Sequence, residues 1–363
     1  MSSPASVPSA PLIDCQSVWK VFGNNADKAL RAITERGLGK SQVMQEFNCV
    51  VGVANVSLTL AKGEILCVMG LSGSGKSTLV RLFNRLIEPS LGKILLRGQD
   101  VGAMKADELR RTRAQHIGMV FQNVALLPHR NVLENAAFGL EVQKIDKIKR
   151  QEIARAALTK VGLADWGDRY PNELSGGMQQ RVGLARALAA DSEVILMDEP
   201  FSALDPLIRR QLQDEFRQVS KSLGKSSVFI THDLDEAIRI GDRIAIMKDG
   251  AVIQIGNAEE IILKPADDYV ADFVAGISRL HFIKAHSVMH PVSAFAAAFP
   301  TTDVEKLART SPDAEVNELI NITLREKQEG VAVVASGAVV GIVTPRSLLQ
   351  GVKGKAPEEA MVL

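Results

Sequence analysis

Gly70-Leu71-Ser72-Gly73-Ser74-Gly75-Lys76-Ser77 is the stretch that decides the fold of this chain of 363 residues. It fits the pattern G-x-x-x-x-G-K-[ST], and its flanks fit as well. The apolar run Ile65-Leu66-Cys67-Val68-Met69 before it reads as a buried strand, and Thr78 to Phe83 after it reads as the start of a helix. Glycines let backbone N–H groups turn inward, and a helix N-terminus adds positive potential, so the loop from Gly70 to Thr78 suits a polyphosphate. Lys76 would reach the β- and γ-phosphates, and Ser77 would offer its hydroxyl to Mg²⁺. A chance glycine-rich turn carries no reason for both a strand and a helix beside it.

Composition narrows what else the chain can be. Its length allows one large α/β domain plus a smaller one, or two to three average domains. Lys plus Arg is 43 and Asp plus Glu is 42, so no global field favours nucleic acid or an acidic membrane. Cys15, Cys49 and Cys67 have no C-x-x-C spacing, which suits a reducing cytosol and argues against a disulfide scaffold or zinc site. Met1 to Pro11 is rich in Ser, Pro and Ala without a basic and apolar signal pattern, and reads as a frayed leader over 1–11. The longest apolar stretch, Val331 to Val343, is too short and glycine-broken to span a bilayer, so membrane work would go through a partner.

From Leu12 to about Gly256 strand-like and helix-like runs alternate. Strands are expected at Val56–Leu60, Ile65–Met69, Ile94–Leu96, Gly118–Phe121, Val194–Met197, Ser227–Thr231 and Arg243–Met247, and helices at Lys149–Val161, Gln179–Ala189, Pro206–Ser222 and Leu234–Ile240. That alternation predicts an α/β sheet with parallel strands. Asn24 to Val50 breaks the rhythm: Ala29, Leu30, Ile33, Val43, Met44 and Phe47 predict two short amphipathic helices, as an insertion packed on the domain or as a docking element. After about Ala275 the character changes. His281 to Thr302 is weakly patterned, an amphipathic run follows Ser311-Pro312-Asp313 through Lys327, and two strands flank Ser336-Gly337 before a helix over Pro345–Gln350.

Two further stretches carry chemistry. Val194 to Glu199 is a buried strand ending in two carboxylates, which is costly unless they have partners or work. Beside a phosphate loop, Asp198 can hold Mg²⁺ and Glu199 can orient and deprotonate a water. Leu174-Ser175-Gly176-Gly177-Met178-Gln179-Gln180 places Ser175 as a helix N-cap followed by two glycines, a second anion-seeking surface. The match at Leu, Ser, Gly, Gly and Gln arises by chance in on the order of one chain in a few thousand.

With these three stretches in this order, the chain resembles the ATP-binding cassette (ABC) ATPases over roughly Leu12 to Gly256. Gly70 to Thr78 matches the Walker A loop, Leu174 to Gln180 the signature, and Ile195 to Glu199 Walker B. The resemblance implies a P-loop core of the RecA type with an antiparallel β subdomain and a helical subdomain at about 123–190. It also makes Gln122 the Q-loop residue, near Mg²⁺ and the membrane partner, Ser202-Ala203-Leu204-Asp205 the D-loop, and His232 the switch histidine. Phe22 matches the aromatic that stacks on adenine, ahead of Trp19, because the glycine after the aromatic fits Phe22. Two copies would meet head to tail, sandwiching ATP between Walker A of one and Ser175, Gly176 and Gly177 of the other, with Asp205 beside them.

Phe201 to Arg209, Asp233 to Ala237, Gly241 to Met247, Leu82 to Pro89 and the insertion at 24–50 look most like bacterial uptake ATPases for glycine betaine, proline or choline. That likeness implies a membrane permease, a periplasmic or lipid-anchored solute-binding protein, no nucleic acid, and a peripheral place on the cytoplasmic face of the inner membrane. The ATPase domain is then expected at 12–275 and a C-terminal domain at 276–363. Ser311 to Gly351 resembles one cystathionine-β-synthase-type (CBS) module, either sensing a ligand or serving as a dimer-stabilising or vestigial domain. Ser347 stands where nucleotide-binding versions carry a ribose-binding Asp. The rival readings are a soluble ABC ATPase of DNA repair or translation, which has long insertions or two cassettes that this chain lacks, and a P-loop kinase or GTPase, which leaves Leu174–Gln180 unexplained.

Overall fold

The computed structural model describes residues 10–353 except 123, 203, 278–281 and 327, with the side chains of 352 and 353 also left aside. Residues 1–9 of the expected leader, Ala203 of the expected D-loop, and His281 and Lys327 lie outside the described residues. The chain divides after Asn257 into two compact units.

The first unit contains, in chain order, the strands β1 (Ile13–Phe22), β2 (Val50–Leu60), β3 (Ile65–Met69), β4 (Leu91–Leu96), β5 (Gln99–Asp100), β6 (Ile117–Val120), β7 (Val194–Asp198), β8 (Ser226–Thr231), β9 (Arg243–Lys248) and β10 (Ala251–Gly256). Its helices are α1 (Ala26–Arg36), α2 (Lys40–Phe47), α3 (Lys76–Phe83), α4 (Ala106–His116), α5 (Val132–Val142), α6 (Lys147–Lys160), α7 (Gly176–Ala189), α8 (Pro206–Ser222) and α9 (Leu234–Ile240). Strands β3, β7 and β8 are buried at every residue, as strands covered on both faces must be. They form the centre of a six-stranded sheet of order β10-β9-β3-β8-β7-β6, parallel except for the β9–β10 hairpin.

Register is what positions the site. Met69 lies opposite Thr231, and Asp198 opposite Ile230. The residues that leave the carboxyl ends of β3, β7 and β8 are therefore Gly70, Glu199 and His232, side by side at one edge. Such an edge of an open parallel sheet is where ligands bind.

A second, antiparallel sheet of order β2-β1-β4-β5 packs over the first. One core cluster runs through both, joining Val18, Val56 and Ile94 to Leu66, Leu79, Leu196 and Ile230. Each such side chain contributes roughly 1.5–3 kcal/mol by burial. The expected insertion forms α1 and α2, and Ala29 and Val43 bury against Val21, Cys49 and Val51. Trp19 packs into that cluster too, which removes it from the nucleotide side. Helices α5, α6 and α7 make a helical layer in which α7 presents Val182, Ala185 and Ala189 to the interior.

The sequence pattern did not predict β1, β10, α4 or α5. Strand β1 is broken by register shifts and by Ser17 at φ 48°, which spoils its alternation. Helix α5 is buried at Val132, Leu133, Asn135, Ala136, Ala137 and Leu140, too much of its circumference to show an amphipathic stripe.

The second unit begins with α10 (Ala258–Leu263) and α11 (Asp268–Val274), which the sequence reading assigned to the preceding domain. They group here because Leu263 packs on the cluster of Ile283, Val316, Val331 and Leu348. There follow α12 (Ala285–Val288), α13 (Val292–Ala298), β11 (Arg309–Thr310), α14 (Val316–Glu326), β12 (Val331–Ala335), β13 (Ala338–Val343) and α15 (Pro345–Lys353). The strands form a sheet of order β11-β12-β13, and β12 turns into β13 across Ser336-Gly337 as expected. Ser347 is buried, and its hydroxyl is engaged with the backbone of Thr344, accepting from the N–H and donating to the carbonyl at 3.0 Å each. Among the described residues no helix is long and apolar enough to cross a membrane.

Candidate nucleotide site

The loop after β3 is held by its surroundings at two glycines. A Cβ on Gly70 would fall 2.2 Å from the Met247 carbonyl oxygen, and one on Gly75 would fall 2.2 Å from that of Gly52. Gly75, at φ 102°, caps α3, so the first N–H groups of that helix open onto the loop. Lys76 is 5% exposed and folds back, donating to the carbonyls of Gly70 at 2.8 Å and Leu71 at 3.0 Å. Burial pushes its ammonium below the usual lysine value, while the carboxylates of Glu199 and Asp198 pull it back up. Ser74 is buried, and its Oγ has no hydrogen-bond partner within the protein, a donor left for a ligand.

Asp198 ends β7 and Glu199 follows it into the turn. Ser77 Oγ donates to Asp198 Oδ1 at 2.8 Å, so a hydroxyl and a carboxylate oxygen converge as donors of the kind a hard cation takes. Arg81 Nη2 reaches the other oxygen, Asp198 Oδ2, at 3.5 Å. Glu199 sits at φ 45°, a left-handed conformation that costs a non-glycine residue about 1–3 kcal/mol and that clusters at functional sites. Its Oε2 lies 3.1 Å from His232 Nδ1, within hydrogen-bond distance. Gln122 Nε2 donates to Ser202 Oγ at 3.3 Å, and Ser202 Oγ donates to the Glu199 carbonyl at 3.1 Å. Gln122 is therefore linked to the turn that carries Glu199, and Gln180 of α7 donates to the Gln122 carbonyl at 3.2 Å.

Phe22 is 38% exposed and lies beside the loop. A Cβ on Gly52 would meet the Phe22 ring at 2.7 Å and Thr78 Cγ2 at 3.4 Å, so a glycine in β2 lets ring and loop approach. Lys20 Nζ lies 5.1 Å from the ring centroid.

Ser175, Gly176, Gly177 and Asp205 form a different surface. Ser175 caps α7, accepting from the Met178 N–H, and Asp205 caps α8, accepting from the Leu207 N–H at 2.9 Å. These four residues line a groove of about 540 Å³ together with Arg181, Leu204 and Ile208, and none of Gly70 to Thr78 lines it. Within one chain the glycine-rich cap and the phosphate loop are two surfaces, not one pocket.

Three participants escaped the sequence reading. Arg81 lies four residues after Ser77 on α3, so helical spacing alone puts both on one face. Gly52 was legible as a glycine inside a strand, a mark of close backbone approach. Arg209 hydrogen-bonds the carbonyls of Ser202 and Leu204 in the turn after β7 and ion-pairs with Asp233 in the turn after β8, a bridge between two strand ends that no local pattern announces.

The family described as ABC transporter matches residues 53–202. The glycine betaine/proline betaine transport system ATP-binding protein of Salmonella typhimurium is 42% identical over 357 residues, covering 97% of this chain and 86% of that protein. The chain belongs to the ATP-binding subunits of ABC transporters. As one of them it is an ATPase coupled to transport through a separate permease. The trimethylamine N-oxide transport system ATP-binding protein of Ruegeria pomeroyi is 42% identical, covering 94% of this chain and 96% of that protein. Among solved structures, a dimeric ATP-binding cassette in a post-hydrolysis state, bound to ADP and Pi, aligns with a TM-score of 0.57 at 30% identity, covering 68% of this chain and 98% of that one.

Proposed function

We propose that this ABC ATPase powers import of a small osmolyte-type solute, glycine betaine, choline or proline, from a peripheral position on the cytoplasmic face of the inner membrane. The observation that carries the chemistry is the pairing at one sheet edge of Ser77 with Asp198 and of His232 with Glu199. Ser77 and Asp198 would hold Mg²⁺, with Gln122 a further ligand by the family resemblance, and the ion would neutralise phosphate charge. Lys76 exchanges its two loop carbonyls for phosphate oxygens, and Ser74 supplies its unspent hydroxyl. Glu199 orients and deprotonates the attacking water while His232 fixes its carboxylate. Phe22 offers its exposed face to the adenine.

The second half of the site comes from a second copy. Ser175 and Gly176 are exposed at a helix N-terminus with Asp205 beside them, which suits capture of the triphosphate held by the partner's loop. The solute class rests on the names of the relatives. The full-length match to trimethylamine N-oxide subunits extends it to methylated amines in general. The C-terminal unit reads best as a dimer-stabilising or vestigial CBS-like module over 311–351, because Ser347 turns its hydroxyl to Thr344. The permease would receive solute from a periplasmic or lipid-anchored binding protein.

The test is uptake by proteoliposomes containing this chain and the permease it co-purifies with. The reading expects ATP-driven accumulation of labelled glycine betaine, choline, proline or trimethylamine N-oxide, abolished by Glu199→Gln. Hydrolysis without uptake of any of the four would remove the solute assignment.

A further inference from the structure

We propose that Arg209 is a positioning residue that ties the turn after β7 to the turn after β8 and thereby sets the geometry of Glu199 and His232. This rests on the reading of those two residues as the catalytic pair. Arg209 lies in the first turns of α8 and touches neither of them. Its Nη2 donates to the Ser202 carbonyl at 3.2 Å and to the Leu204 carbonyl at 3.0 Å. Its Nη1 stands 3.8 Å from Asp233 Oδ2. Ser202 holds the Glu199 carbonyl on one side, through its hydroxyl. Asp233 directly follows His232 on the other, and is itself fixed: its N–H donates to Thr231 Oγ1 at 2.9 Å, and its Oδ1 accepts from the Glu236 N–H at 3.2 Å.

One guanidinium thus hydrogen-bonds one flank and ion-pairs with the other flank of a pair whose members come from different strands. A planar fork with several donors can do this, and a lysine, with one point charge, cannot. Arg209 Nε is buried without a partner, so the contacts of the two terminal nitrogens, rather than complete satisfaction of the group, fix its place. One turn further along α8, Gln213 donates to Glu236 Oε1 at 2.9 Å, and Glu236 is hydrogen-bonded to the Thr231 hydroxyl. The same helix therefore braces the end of β8 at two levels. Because Asp205 caps α8, a displacement of that cap by a second copy would be passed through Arg209 to the pair.

The test uses the full-length chain with Arg209→Ala, Arg209→Lys and His232→Ala, alone and combined, measuring kcat, KM, ATP affinity and thermal midpoint. Arg209→Ala should lower kcat roughly 10- to 100-fold, the effect of small misplacement at a reacting centre, with ATP affinity within about twofold. Arg209→Lys should not restore kcat. In the His232→Ala background the further loss should shrink to about twofold or less, since both changes act on one unit. An unchanged kcat in Arg209→Ala, rescue by lysine, or losses that multiply in full would overturn the proposal. If the alanine variant does not fold, Arg209→Lys and Asp233→Asn carry the same comparison. Absence of ATP hydrolysis in the wild-type chain would instead overturn the catalytic reading beneath it.

Discussion

Gly70–Ser77 and Ser175–Gly177 are both glycine-rich and both open a helix, yet the fold treats them in opposite ways. The first is enclosed: Cβ atoms at Gly70 and Gly75 would collide with backbone, and Lys76 bonds to its own loop. The second faces solvent on a groove, and a Cβ at Gly177 would meet only side chain, the Ile208 Cγ2 methyl at 3.0 Å. The first is shaped by its own chain to hold a ligand. The second has the chemistry of an anion site without a counterpart in its own chain, which is the form expected of a surface completed by another copy.

The largest effect that can break this comparison is Glu199→Gln. Loss of the base should cut phosphate release by about 10²–10⁴-fold while ATP binding persists. Normal turnover would remove Glu199 from that role. Next come two substitutions that separate the surfaces. Lys76→Ala should lower both ATP affinity and hydrolysis, whereas Ser175→Arg should leave ATP binding to the single chain intact and abolish hydrolysis. Equal loss of nucleotide binding in both, read by fluorescence titration, would erase the distinction. In denaturant melts, Gly75→Ala should destabilise by about 3 kcal/mol, because φ 102° and the Gly52 carbonyl both oppose a side chain. Gly177→Ala should stay within about 1 kcal/mol, since helix propensity offsets a close contact with one exposed side chain, Ile208, rather than with backbone.

The smallest effect concerns Glu236, behind the catalytic pair. Burial raises its carboxyl above the ordinary 4.5, against the hydrogen bonds from Thr231 and Gln213. The folded state then holds the proton more tightly than the unfolded state, so its contribution is full below pH 4.5 and is lost as pH rises through the raised value. Glu236→Gln should flatten the stability profile over that window, and a profile identical to wild type would contradict the assignment.

The comparison also explains what was legible in the sequence. The enclosed loop was readable because its constraints are local: strand, glycines, Lys76 and helix lie within one short segment. The carboxylates Asp198 and Glu199 and His232 were readable as strand ends, and their juxtaposition followed only from the register of β3, β7 and β8. Helical spacing places Arg81 beside Ser77 but does not name its partner Asp198, 117 residues on. A glycine in a strand marks Gly52 but not the Phe22 ring or the Gly75 backbone it admits. Arg209 joins the nearby carbonyls of Ser202 and Leu204 to Asp233 on another strand's turn, which local periodicity does not carry. The boundary at Asn257 came earlier than expected because α10 is apolar toward a core formed much later in the chain, by Ile283, Val316 and Val331.

The central claim is that the two surfaces meet only between copies and only across ATP. Light scattering of the Glu199→Gln chain with and without ATP tests it most directly. The account predicts a mass near 39.2 kDa without nucleotide and a doubling when ATP is added, with the doubling lost in Ser175→Arg. A mass that does not change while ATP is bound would contradict it.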